Sequence, residues 1–199
     1  MHDDLRSILA DCWRELADAT ADRRHGFHVP ALCTIGVDGA PVARSVVLRR
    51  IDADACAIQC HTDARSAKVA EIERDARVTW LFYAPERKLQ LRIAAEARFI
   101  AAGPRVDDAW AASTLPSRRC YLAPRAPGSL CDAPSANLPE GVLDRRPTEE
   151  ETVPGRANFG IVLTHAWSID WLHLASEGHR RARFVRSEQG GWSGSWIEP

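Results

Sequence analysis

The 199 residues carry 26 Lys and Arg against 27 Asp and Glu, with a pI near 6.7, so there is no global basic field to attract nucleic acid or anionic lipid. A chain of this length buries about 70% of the surface it exposes when unfolded, so one domain over residues 1–199 with a single core is expected. No apolar run reaches the length of a membrane span, and MHDDLRSILADCW has the wrong charge and pattern for a secretory signal; the expectation is a cytoplasmic protein with no membrane partner.

Along residues 3–20, Leu5, Ile8, Leu9, Cys12, Trp13 and Leu16 fall at helical spacing behind Asp3 and Asp4, which predicts an amphipathic helix. The pattern then turns to strand. VPALCTIG and VARSVVLRRI are β-rich runs joined through VDGAP, with Asp38-Gly39 as the hairpin turn. A second turn, IDADA, leads into CAIQCH, where Cys56, Ile58 and Cys60 share a face. The six cysteines have neither CxxC nor CxH spacing, so they are expected to pack as small hydrophobes with no metal bound; a metal or redox role for Cys56 and Cys60 is the alternative.

HTDARSAK, residues 61–68, opens the next helix, AKVAEIERDA, with Thr62 or Asp63 as its N-cap. Arg65 and Lys68 then stand at the positive end of the helix dipole, where each cation costs about 0.3 to 1 kcal/mol. An anion would reverse that cost. Backbone N–H groups, the Ser66 hydroxyl and two cations together suit a phosphate. VTWLFYA follows, apolar on both faces and therefore placed centrally in a sheet, then KLQLRIAAEARFIA across a turn at Pro85-Glu86.

RVDDAWAASTL predicts a short helix. Beyond it, prolines from Pro116 to Pro154 punctuate a stretch with little periodicity, and residues 116–157 are expected to form a long loop with a solvated part at EGVLDRRPTEEETVPG. Three strand-like runs close the chain: ANFGIVLTHAWSIDWLHL, RRARFVRS and GWSGSWIEP. The order predicts an α+β protein, an antiparallel barrel-like sheet with flanking helices. GxGxxG after the first strand and GxxxxGK[ST] are both absent, so neither a Rossmann nor a P-loop nucleotide site is indicated.

Arg44 and Arg49 bracket RSVVLR, and Gln90 is polar within the apolar KLQLRI. With HT and RSAK between them, this ordered set resembles the FMN-binding split barrel of pyridoxamine-5'-phosphate oxidase and its relatives, strongly over residues 28–100 and weakly over 158–199. The resemblance implies FMN as cofactor. It assigns the phosphate to Arg44, Ser66 and Lys68, and gives the backbone of Arg44, Ser45, Val46, Val47, Leu48 and Arg49, with His61 and Thr62, a place bordering the flavin. Gln90 meets the ring edge, and Trp171, or Leu172 beside it, and Arg183 complete the cofactor set. It further implies a homodimer and a small-molecule substrate.

The departures from the family pattern are as informative. Ala67 stands where the family has an Arg, with Arg65 as the candidate replacement, and His61 stands where the family has a Tyr. Near the C-terminus the RxHxR order becomes HRRAR, placing His179 and Arg181 in exchanged order. The substrate clamp, a Tyr, Arg and Ser spaced four apart, falls on Trp110, Thr114 and Arg118; Arg118, His179 and Arg181 remain candidates for an anionic substrate, next to Ser117 and Arg119. No nucleophile is indicated, and His61 and Arg181 are candidates for proton transfer or orientation. The expected function is an FMN-dependent oxidoreductase acting on a molecule other than a B6 phosphate. The alternative is a flavin- or haem-binding storage or sensor protein without turnover.

Overall fold

Helix α1, Leu5–Ala21, starts where Asp4 accepts the Ser7 N–H at 2.9 Å in the computed structural model, which describes residues 4–199. Asp3, the other expected leading acid, lies outside the described residues. Ile8, Cys12, Leu16 and Ala19 form the buried stripe of α1. Strands β1, Ala31–Ile35, and β2, Pro41–Ser45, pair antiparallel through the expected turn, where Gly39 adopts φ 89°, a conformation that costs glycine nothing.

VARSVVLRRI does not continue as one strand. It breaks at Val46-Val47, because Val46 N–H turns to the Pro30 carbonyl and Leu48 N–H to that of His28, with both side chains buried. Strand β3, Leu48–Asp52, then pairs with β4, Ala57–Asp63, through a bulge between Leu48 and Arg50. Cys56, Ile58 and Cys60 are buried as expected, but Cys56 lies in the turn before β4 at φ 52° and not on the strand, and no metal-holding group of His, Cys, Asp or Glu occurs among the described residues.

The remaining elements are α2 (Ala67–Arg74), β5 (Arg77–Ala84), β6 (Leu89–Ile100), α3 (Pro104–Ala111), α4 (Leu115–Arg119), α5 (Glu149–Thr152), β7 (Phe159–His173), β8 (Arg180–Arg186) and β9 (Trp192–Ile197). The strands make one antiparallel sheet in the order β2-β1-β5-β6-β7-β4-β3, with β8 on β7 and β9 on β8. β5 lies centrally, as its apolar run predicts. Its two faces differ, however: Trp80 and Phe82 are fully buried, whereas Leu81 is 36% and Tyr83 47% exposed. Strand alternation sends the second pair to the opposite side of the sheet.

Two compact units divide the chain, and neither is continuous in sequence: residues up to Cys60 with Glu71–Arg98 and Leu163–Pro199 form the first, and His61–Ala70 with Phe99–Val162 the second. In the first, Trp80 Nε1 donates to Thr164 Oγ1 at 3.0 Å and Thr164 to the Ile58 carbonyl at 3.1 Å, so these two buried polar side chains are satisfied. α1 packs on β3 and β9 there. In the second, Val106, Phe159 and Ile161 make a core against Trp110 and Tyr121.

The 116–157 stretch is less irregular than its prolines suggest. Short helices stand at both ends, and two arginines hold it. Arg118, 7% exposed, donates to the carbonyls of Trp110 and Ala111, each at 3.0 Å, and lies 5.0 Å over the Trp110 ring. Arg119 reaches the carbonyls of Val142, Leu143 and Arg145. Hydrogen bonds to charged groups contribute about 1.5 to 3 kcal/mol, so Arg118→Ala should lower the unfolding midpoint by several degrees and speed proteolytic cleavage between residues 119 and 148. An unchanged melting curve and digestion pattern would show that these contacts do not hold the segment.

No helix among the described residues is long and apolar enough to cross a membrane.

Candidate functional site

In the second unit the chain leaves β4 at Asp63, makes a turn, and enters α2 at Ala67. The helix begins later than Thr62 or Asp63 as N-cap requires, because those residues have other partners. Ser66 N–H donates to the Asp63 carbonyl at 3.0 Å, and Val69 N–H to that of Ser66 at 2.9 Å. Asp63 takes the Arg65 backbone N–H at 2.8 Å and holds the Arg65 guanidinium through Nε at 3.0 Å and Nη2 at 2.7 Å.

Two of the three expected phosphate residues, Ser66 and Lys68, converge here with Thr62, expected at the flavin border. Lys68 Nζ donates to Thr62 Oγ1 at 3.0 Å and to Ser66 Oγ at 2.6 Å, so one ammonium and two hydroxyls meet at the start of an eight-residue helix. That is the donor chemistry of a phosphate cradle. Arg65, by contrast, turns to its own surroundings, adding the carbonyls of Ala123 at 2.9 Å and Pro124 at 3.3 Å to its pairing with Asp63. The hydrogen bond to Asp63 holds its pKa above the ordinary guanidinium value. His61 packs edge-on against Phe159, with ring centroids 4.9 Å apart, in an aromatic group completed by Trp110 and Tyr121.

In the first unit Arg44 is half-buried on β2. Its Nη2 donates to Glu71 Oε2 and its Nη1 to Thr34 Oγ1, both at 2.5 Å, and Nη1 also reaches the Leu32 carbonyl at 3.2 Å. Three of its five donors are thus engaged within the unit. Ser45 ends β2 at the surface, and Arg49 is the exposed residue between the bulge positions Leu48 and Arg50. Bulges re-aim side chains, which gives Arg49 an orientation that strand alternation alone would not.

Gln90 lies opposite Tyr83 in the β5–β6 ladder, on the face that carries Arg92 two residues on. The β7–β8 register pairs Asp170 with Arg183, Leu172 with Arg181 and Trp171 with Ala182. Adjacent residues alternate, so Trp171 and Arg183 occupy opposite faces and cannot meet one ligand on the same side of that ladder. Trp171 turns inward, with Ile8, Cys12, Leu89 and His173, to line a cavity of about 320 Å³ under α1. Leu172 is the residue on the Arg181 side. Arg181 binds Asp170 through Nε at 3.0 Å and Nη2 at 2.9 Å, while His179 is exposed in the turn before β8.

Residues 10–101 match the family model of the pyridoxamine 5'-phosphate oxidase FMN-binding domain. The pyridoxine/pyridoxamine 5'-phosphate oxidase 2 of Arabidopsis thaliana is 31% identical over 173 residues, spanning 81% of this chain and 83% of that protein. The chain belongs to the pyridoxamine 5'-phosphate oxidase family. A second oxidase of the family, from Novosphingobium aromaticivorans, is 28% identical over the whole of this chain and 95% of its own length. Among solved structures, an oxidase-related FMN-binding protein from Nostoc punctiforme superposes with a TM-score of 0.76 at 22% identity, covering 100% of both chains. PhzG from Burkholderia lata gives 0.71 at 19% identity, covering 98% of this chain and 92% of its own. The open antiparallel sheet with its flanking helices is therefore the split barrel of this family.

Several residues of these clusters escape a reading of the sequence. Glu71 and Thr34, which hold Arg44, sit 27 and 10 positions from it. Asp170 had one local signal, a carboxylate within the apolar run WSIDWLH, and Arg92 another, its place two residues after Gln90.

Proposed function

We propose that the protein binds FMN and works as a cytoplasmic, homodimeric oxidoreductase on a small molecule that is not a B6 phosphate. The observation that carries this reading is the convergence of Lys68, Ser66 and Thr62 at the start of α2, in a chain of a flavin-binding family. The three side chains hold the phosphate. Gln90 offers its amide to the ring edge, and Arg183 stands on the same face of the first unit. Bound isoalloxazine supplies hydride acceptance and return at N5. Of the chain's own residues, His61 is the candidate for orienting substrate or moving a proton, and its aromatic neighbours fix its ring. Arg65 serves as a brace for the turn before α2, its donors lying on Asp63, Ala123 and Pro124.

The absorbance and mass of the ligand that copurifies test the cofactor directly. A flavin spectrum with the mass of FMN is expected; haem absorbance or a phosphate-free flavin would overturn the assignment. The exposed Leu81 and Tyr83 beside Gln90 support burial against a second copy, and sedimentation at micromolar concentration should give twice the chain mass. A monomer that retains tight FMN binding would contradict the dimer.

The internal engagement of Arg118 favours one other reading, a flavin- or haem-binding protein that stores or senses its ligand without turnover. Steady-state reduction of the bound flavin by reduced nicotinamides separates the two: turnover supports the enzyme, and its absence with every nicotinamide and amine substrate supports the binding protein.

A further inference from the structure

One face of the first unit gathers three guanidinium groups around a single carboxylate. Asp170 accepts Arg92 Nη2 at 2.6 Å and the Arg181 fork at 2.9 and 3.0 Å, with Arg183 Nη2 at 3.9 Å. The Asp170 side chain is 9% exposed, whereas those of Arg92 and Arg183 are 47% and 52% exposed. The carboxylate therefore lies beneath cations that still face solvent, and two positive charges are left over. Burial pushes the Asp170 carboxyl up, but the hydrogen bonds from Arg181 and Arg92 outweigh it and hold the group below the ordinary carboxylate range. Gln90 shares the face, two residues along β6 from Arg92.

A carboxylate is a poor neighbour for an anion or a carbonyl-rich ring edge. Its use is geometric: two hydrogen bonds to one guanidinium fix the plane of that group. We infer that Asp170 is a positioning residue, holding Arg92 and Arg181 beside Gln90 so that their remaining N–H groups meet the carbonyl-bearing edge of the flavin ring. The inference rests on the flavin reading above and adds to it two residues, Asp170 and Arg92, that act on the ring rather than on the phosphate.

Charge and aim predict opposite signs. Asp170→Asn makes the face more positive, so charge alone would tighten binding of an electron-rich ligand; loss of aim weakens it. The test is fluorescence titration of flavin-stripped full-length protein with FMN and with riboflavin, for wild type, Asp170→Asn, Asp170→Glu and Arg92→Gln, each checked by thermal unfolding beforehand. Asp170→Asn and Arg92→Gln should weaken both flavins by about tenfold, and Asp170→Glu should remain within about threefold of wild type. Arg92→Gln alters a half-exposed side chain and carries the test if Asp170→Asn does not fold. Unchanged or tighter binding in the folded variants, or a loss confined to FMN, would overturn the inference. Wild-type protein that binds neither flavin would instead overturn the flavin reading itself.

Discussion

FMN-loaded protein should oxidise pyridoxamine 5'-phosphate and pyridoxine 5'-phosphate with a kcat/KM at least about a hundredfold below that of an authentic oxidase assayed beside it. The expectation follows from what the clamp positions do. Trp110 packs its ring on Phe159, 5.2 Å between centroids, and on Tyr121 at 6.0 Å. Thr114 is the N-cap of α4, its hydroxyl 3.0 Å from that of Ser117. Arg118 is buried, with donors on the carbonyls of Trp110 and Ala111 and its Nη1 3.6 Å from Glu149. All three positions are engaged in holding the second unit together. Near the C-terminus Arg181 is bound by Asp170, and that hydrogen bond raises its pKa above the ordinary guanidinium value. A site that has lost charged partners for a bound phosphate discriminates by several kcal/mol, or orders of magnitude in rate. Peroxide release with both substrates is the measurement. Comparable kcat/KM would mean that Arg119, Arg181 or another cation rebuilds the clamp by a different route.

Lys68→Ala should weaken FMN binding by about tenfold or more while leaving riboflavin almost unaffected, since a charge-assisted bond to phosphate is worth about 1.5 to 3 kcal/mol and riboflavin has no phosphate. Lys68 is the cleaner probe of the proposed phosphate site. Arg44→Ala should also weaken FMN binding, but it leaves Glu71, 6% exposed, without the guanidinium it pairs with at 2.5 Å. That substitution therefore acts on stability as well as affinity, because an unpaired buried charge is costly. Parallel titrations of FMN and riboflavin give the answer, and equal losses for the two flavins in Lys68→Ala would remove Lys68 from the phosphate site. The pattern is the reverse of that expected for Asp170→Asn, where both flavins should lose together.

The sequence by itself determined the elements whose signals are local. The apolar stripe from Leu5 to Leu16 and the Asp38-Gly39 turn each lie within a few residues, and each appears where the sequence pattern puts it. The convergence of Ser66 and Lys68, two of the candidate phosphate residues, was legible for the same reason: with Thr62, expected at the flavin border, they are close in the chain, so a strand end followed by a helix start brings them together whatever the rest does. Tertiary structure decided what long-range partners decide. The carbonyls of Pro30 and His28 break the run from Val42 to Ile51, and no pattern within that run announces it. The same holds for the arginines. Arg44 faces Glu71, Arg65 reaches the carbonyl of Ala123, and Arg92 meets Asp170 across 78 positions of sequence. A guanidinium has five donors and a long flexible stem, so its position in the chain says little about which acceptor it finds. Trp171 and Arg183 show the same limit: the hydrogen-bond register between two strands set which face each occupies, and that register is a property of the assembled sheet.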